Sequence, residues 1–171
     1  NLQYLKKIRK EHNNFHYQNI AISNFNYLKI FTPKYNNIKI YNFTSFSKKN
    51  IINNLKKNFR FLNTKKIKFD VSTVKAKKLD NFKKYNIGVL KLDVEGYEEN
   101  VINSGKKLIK KHRPIIYIEN NSKIFKRNTF LKKLGYSIYF YNPQKKNFSF
   151  KNRLNSNYAL LLIKKKHLKF N

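Results

Sequence analysis

Apolar positions along the chain alternate between two periods, and the switches between them mark its elements. Leu2, Leu5 and Ile8, with Tyr4 beside them, recur at near-helical spacing and predict a helix ended by Asn13-Asn14. Phe15 to Ser23, containing Ile20-Ala21-Ile22, reads as a strand with small residues at its end. Tyr27 to Thr32 and Ile38 to Phe43 read as two strands of a hairpin around Pro33 and Asn36-Asn37. Ile51, Ile52, Leu55, Phe59 and Leu62 return to helical spacing behind Ser47, a side chain suited to a cap. Ile67, Phe69 and Val71 alternate as a strand does, and a short helix near Leu79 to Tyr85 leads to a strand over Val89 to Val94.

The second half is patterned more sharply. Tyr97, Val101, Ile102, Leu108 and Ile109 define one helix face, with Glu98 and Glu99 in its first turn and four lysines towards its end. Each sign matches the helix dipole. Pro114 stops that helix, and Ile115-Ile116-Tyr117-Ile118 reads as a buried strand ending at Glu119. Ile124, Phe125, Leu131 and Leu134 predict another helix, closed by Gly135. Strands over Tyr136 to Tyr141 and Tyr158 to Ile163 follow, the first ending at the turn Asn142-Pro143. Strand and helix alternating from 87 to 141 predict a parallel sheet with helices on both faces, and a last strand without a preceding helix should run antiparallel. The fold class expected is therefore α/β, in a single domain over residues 1–171.

Composition narrows the function classes. The chain carries 39 Lys and Arg against 8 Asp and Glu, a formal charge of +31. Nucleic acid is the obvious partner for such a charge. Only 5 of the cations are Arg, however, and the lysines are spread through every segment, which favours a solvated basic surface. Lys, Asn, Ile, Phe and Tyr are all specified by codons rich in A and T, so biased base composition would inflate them together. No apolar run has the roughly 18 residues of a membrane span, and no signal-peptide pattern is present. The absence of cysteine removes disulfides and thiolate metal sites. His12, His16, His112 and His167 show no metal-ligand spacing, since Asn13-Asn14 interrupts the one pair that is four apart. A cytoplasmic, metal-independent protein is expected.

Chemistry concentrates in Asp93-Val-Glu-Gly-Tyr-Glu-Glu99, which holds four of the acidic residues between a strand and a helix. Ligands of open α/β sheets bind at the carboxyl ends of strands. Asp93 stands at such an end, and Glu119 ends the next strand and can face the same crevice. An exposed strand-end acid among lysines accounts for Glu119 equally well. Glu95 is placed to accept amide hydrogen bonds from the helix start. Asp80 is expected to cap the short helix after Leu79.

The ordered blocks Lys91-Leu-Asp-Val-Glu-Gly-Tyr-Glu98, Val101-Ile-Asn-Ser-Gly105, Arg113-Pro-Ile-Ile-Tyr-Ile-Glu119 and Leu134-Gly-Tyr136 resemble FkbM-type methyltransferases. Leu79-Asp80 and Asn19-Ile-Ala-Ile-Ser23 fit the same order, so the similarity covers about three quarters of the chain. The resemblance implies a Rossmann-like class I sheet, mostly parallel with an antiparallel last strand. It implies S-adenosyl-L-methionine (SAM) as cofactor and a hydroxyl of a sugar or small metabolite as acceptor. By the same likeness Asp93 is the residue that orients the hydroxyl and takes its proton, with Glu95 and Glu119 beside it. Ala21, Ile22 and Ser23 would meet the adenine ring, although a strand end looks the same without a ligand. Residues 27–63 would cover the acceptor.

One departure stands out. The family's first strand and glycine-rich cofactor turn are missing, because Gly88 is the first of four glycines. With no methionine at its start, the chain is expected to be an N-terminally truncated methyltransferase domain lacking the first strands, binding SAM weakly by itself. The other readings are a basic protein without enzymatic activity that binds nucleic acid or an anionic glycan, and a methyltransferase-like domain that has lost activity.

Overall fold

A computed structural model describes residues 2–94, 96–119, 128–150 and 158–167. It shows a mixed α/β chain with two sheets. Helix α1 (Leu2–Glu11) stands where the spacing of Leu2, Leu5 and Ile8 puts it. Strand β1 is limited to Ala21–Ile22. Strands β2 (Tyr27–Tyr35) and β3 (Ile38–Lys39) form the expected hairpin. Asn36 and Asn37 both take positive φ there, 46° and 65°, the geometry whose twist matches a two-residue hairpin loop. Helix α2 (Lys48–Asn58) starts at Ser47, whose Oγ accepts the Asn50 N–H at 3.2 Å, and it buries Ile51 and Leu55. Strand β4 (Lys68–Lys77) then pairs antiparallel with β2 and parallel with β1, completing a sheet in the order β1-β4-β2-β3.

The second sheet begins with β5 (Val89–Leu92), followed by α3 (Glu98–Ser104), α4 (Lys106–His112) and β6 (Ile115–Glu119). Helix α5 (Thr129–Lys133), strands β7 (Ser137–Asn142), β8 (Asn147–Ser149) and β9 (Tyr158–Leu162), and helix α6 (Lys164–His167) complete the chain. The order is β5-β6-β9-β7-β8, with β5 and β6 parallel and β9 antiparallel to both of its neighbours, as expected for the last strand.

Several expectations change. The pairing is mixed rather than mostly parallel: β1–β4 and β5–β6 are parallel, while β2 pairs antiparallel with β3 and β4, and β9 and β8 pair antiparallel with their neighbours. Phe15 to Ser23 keeps only two strand residues, and the strand expected over 38–43 gives way at Tyr41–Phe43 to a single 3-10 turn. The short helix after Leu79 is likewise one 3-10 turn, Leu79–Phe82. The helix read from Tyr97 to Ile109 is two helices broken at Gly105. Ile124 and Phe125 lie outside the described residues.

The core belongs to the second sheet. Leu92, Val101, Ile102, Leu108, Ile109, Ile116, Ile118 and Leu161 pack together, all nearly inaccessible. One interlock fixes the helices against the segment before β5. Ser104 Oγ accepts the Leu79 N–H at 3.2 Å and donates to the Val101 carbonyl at 2.7 Å. Asp80 Oδ1 accepts the Leu108 N–H at 2.8 Å, so it caps α4, 28 residues away, rather than the turn that follows Leu79. A Cβ on Gly105 would lie 2.5 Å from Leu79 Cδ2, which is why the helix breaks at a residue without one. Arg113 leaves α4 in the left-handed conformation, and its carbonyl accepts from Lys166 Nζ and His167 Nε2. Tyr136 donates to the Pro114 carbonyl at 2.6 Å, and burial pushes its phenol well above the usual tyrosine range.

Candidate functional site

The parallel register pairs Leu92 with Ile118, so Asp93 and Glu119, one residue further on, reach the same edge of neighbouring strands. Both side chains are on the exposed side of the sheet's end, and Asp93 keeps 44 % of its side-chain surface. Lys91 Nζ stands 3.3 Å from Asp93 Oδ2, an exposed contact that holds the carboxylate only weakly. Glu95 lies outside the described residues.

The turn after Asp93 is shaped by its neighbours. Gly96 has φ +88°, which calls for glycine, and a Cβ there would lie 2.8 Å from Asn50 Nδ2, so the α2 side chain packs closely on the turn. Tyr97 packs its ring 5.1 Å from that of Phe46. The first turn of α2 and the residue before its cap therefore sit beside the turn at Gly96 and Tyr97. Glu98 was read only as a dipole charge, yet it is buried to 1 % exposure and its Oε1 accepts the Gly96 N–H at 3.2 Å. That is the amide-accepting part expected of Glu95. Oε2 of Glu98 is buried without a hydrogen-bond partner among the described residues. Tyr97, Asn50 and Phe46 were also missed. Nothing in the sequence pointed to Asn50 or Phe46, and Tyr97 was read only as part of a helix face.

The strand end proposed for adenine joins this loop. Ser23 is fully buried, and its Oγ accepts the Phe25 N–H at 3.1 Å and lies 3.3 Å from Tyr97 Oη. Its hydroxyl is thus committed to holding β1 against the turn. Ala21 and Ile22 point to opposite sides, as successive strand residues do. Ala21 lines a cleft of about 430 Å³ with Ile30, Phe46 and Val74, and Ile22 one of about 640 Å³ with Arg9, Tyr17, Phe82 and Tyr85. Neither cleft is lined by Asp93 or Glu119. The structure therefore brings Ser23 to the carboxylate loop and places Asp93 and Glu119 on one open edge.

His16 has an arginine for its neighbour, Arg9 Nη1 lying 2.5 Å from its Nδ1. Among the described residues no helix is long and apolar enough to cross a membrane.

Neither the curated proteins nor the solved structures give a significant match. The model of the methyltransferase FkbM domain matches residues 3–138, a span that contains β1, the Asp93–Glu98 turn and Glu119. A carboxylate pair at the ends of β5 and β6, a glycine turn braced by Glu98 and the family match all fall on the same residues, and the chain belongs to the FkbM methyltransferase family.

Proposed function

We propose that this chain is a SAM-dependent O-methyltransferase acting on a hydroxyl of a sugar or small metabolite. The observation that carries the reading is the register of Asp93 with Glu119 on the edge where the family's motif falls. The antiparallel β9 between β6 and β7 supports assigning the second sheet to a Rossmann-like class I arrangement. Charge supports the cofactor. Four of the eight acidic residues fall in the seven residues 93–99, which carry no Lys or Arg, so a sulfonium cofactor meets a local concentration of negative charge in a chain of +31. Ala21 and Ile22 offer small and apolar surface to an aromatic base. Ser23 serves by position, since its hydroxyl is already bonded.

When bound, SAM supplies a methyl group already activated on sulfur. The protein's share is then to hold the acceptor oxygen in line and to receive its proton. Asp93 orients the hydroxyl by accepting its hydrogen bond and takes the proton as the new C–O bond forms. Glu119 holds a neighbouring hydroxyl of a polyol acceptor, and Glu95, two residues after Asp93 in the sequence, assists. Glu98, through Gly96, keeps the turn from collapsing onto Asp93. The carboxylates need no metal partner in this reading, and the site belongs to a cytoplasmic protein.

The test is methyl transfer from tritium-labelled SAM to a panel of sugars and hydroxylated metabolites, using the protein with any residues encoded in frame upstream of Asn1. Label in an alkali-stable ether supports the reading. Label only in alkali-labile esters, or SAM binding with no transfer to any hydroxyl, overturns it.

A further inference from the structure

Residues 12–69 contain no carboxylate at all, while ten Lys and one Arg fall between 29 and 68. Towards the end of that stretch the chain leaves α2 as Lys56-Lys-Asn-Phe-Arg-Phe-Leu-Asn-Thr-Lys-Lys66. Residues 56–61 are exposed without interruption, and Lys65 and Lys66 are exposed again on the turn that follows. Phe59 leans on Phe43 at 5.8 Å and remains 48 % exposed. Phe61 is 102 % exposed, so its whole ring stands in water. The ion pairs among the described residues involve Lys34, Lys39 and Lys91, none of the five cations of this tip.

A lone exposed phenylalanine is ordinary. A protruding ring flanked by five unneutralised cations, on a stretch without acids, is an arrangement that a partner completes. Burying such a ring in an apolar layer is favourable, and each near-surface cation adds to the attraction of an anionic leaflet. Single-stranded nucleic acid needs a groove whose walls track its backbone while bases stack. A ring with its full surface in solvent has no wall beside it, and four of the five cations are Lys, whose stems suit a bilayer interface.

We propose that the tip Lys56–Lys66 docks peripherally on a bilayer containing anionic phospholipid, with Phe61 entering the headgroup–acyl boundary and Lys56, Lys57, Arg60, Lys65 and Lys66 against the headgroups. Helix α2 links the tip to the candidate site. Near its other end Asn50 stands beside Gly96, about 12 Å along the helix axis from Asn58. Docking requires no transfer chemistry, so it stands or falls apart from the proposed activity.

Sedimentation of the full chain with sucrose-loaded vesicles tests this, comparing phosphatidylcholine alone with phosphatidylcholine containing about 30 mol % phosphatidylserine at about 0.1 M salt. The wild type should sediment with the anionic vesicles and stay in solution with the neutral ones. Phe61→Ser should weaken the partition by at least about fivefold, and Lys56→Gln with Lys57→Gln by about 25-fold. Lys110→Gln with Lys111→Gln, the same charge change on exposed positions of α4, should stay within about twofold of wild type. Thermal melts matching wild type establish that each variant folds. No binding to anionic vesicles overturns the proposal, as does an equal loss from the α4 pair, which reduces the effect to diffuse charge. Retention by Phe61→Ser also overturns it, and so does a single-stranded oligonucleotide whose binding needs Phe61 when vesicle binding does not.

Discussion

Asp80, Ser104 and Gly105 lock α3 and α4 against Leu79 with one side-chain acceptor each and one missing Cβ. Replacing Asp80 by Ala leaves the Leu108 N–H without its cap and should lower stability by about 1 kcal/mol in urea titration. Gly105→Ala drives a methyl into the buried Leu79 side chain, and we expect about 1–3 kcal/mol of destabilisation by the same measurement. A variant as stable as wild type at either position would break the interlock. His167 offers a pH signature. Its Nδ1 accepts the Ile163 N–H at 2.9 Å and its Nε2 faces the Arg113 carbonyl at 2.9 Å, the pattern of a neutral ring. Burial pulls its pKa below the ordinary value of 6.5, with Lys166 adding to the effect against the Arg113 carbonyl. A depressed histidine pKa means that the unfolded state takes up the proton first. Its stabilisation is complete above about pH 6.5 and is lost as pH falls towards the folded-state value. The melting-temperature difference between wild type and His167→Asn should therefore shrink from pH 7.5 to pH 5, and a constant difference would contradict it. At this scale the sequence revealed that Asp80 caps a helix but not which one, because its partner lies 28 residues away. Glu98 looked like a surface charge because helical spacing says nothing of what the preceding turn folds over.

The elements that periodicity marked most strongly are the ones that formed: α1, α2, α3 with α4, β6 and β9. Apolar spacing ran straight through Gly105, so a single helix was read where the chain breaks. Hydrophobic faces continue across a kink when both halves pack on one core. The two-asparagine hairpin between β2 and β3 was legible because few side chains tolerate positive φ. Asn37→Val should cost about 1–2 kcal/mol, read from the urea midpoint, while Asn37→Gly should be neutral or stabilising. Equal stability of the valine variant would argue against a left-handed residue at 37. What stayed hidden was the long β2–β4 ladder. Its partners are separated by the whole of α2, and alternation within a strand does not name a neighbour.

Across the whole molecule, charge is the dominant long-range term. A net +31 repels itself in the compact state, and counter-ions relieve that repulsion. Raising NaCl from about 0.01 M to 0.2 M should therefore raise the melting temperature; a fall would mean that ion pairs such as those of Asp70 with Lys34 and Lys39 outweigh the repulsion. The same field sets apart the acidic edge of Asp93 and Glu119 from the cationic tip at the far end of α2. Family and α/β class were legible from four short blocks in order. The mixed arrangement of two sheets was not, since it depends on pairings between distant segments.

The claim on which the rest turns is that Asp93 handles the acceptor hydroxyl. Single-turnover methyl transfer by the full-length protein, set beside its equilibrium affinity for SAM, measures this in Asp93→Asn. The account predicts a rate lower by at least about a hundredfold with SAM affinity within about twofold of wild type. An unchanged rate, or a loss of rate fully explained by lost SAM binding, would contradict it.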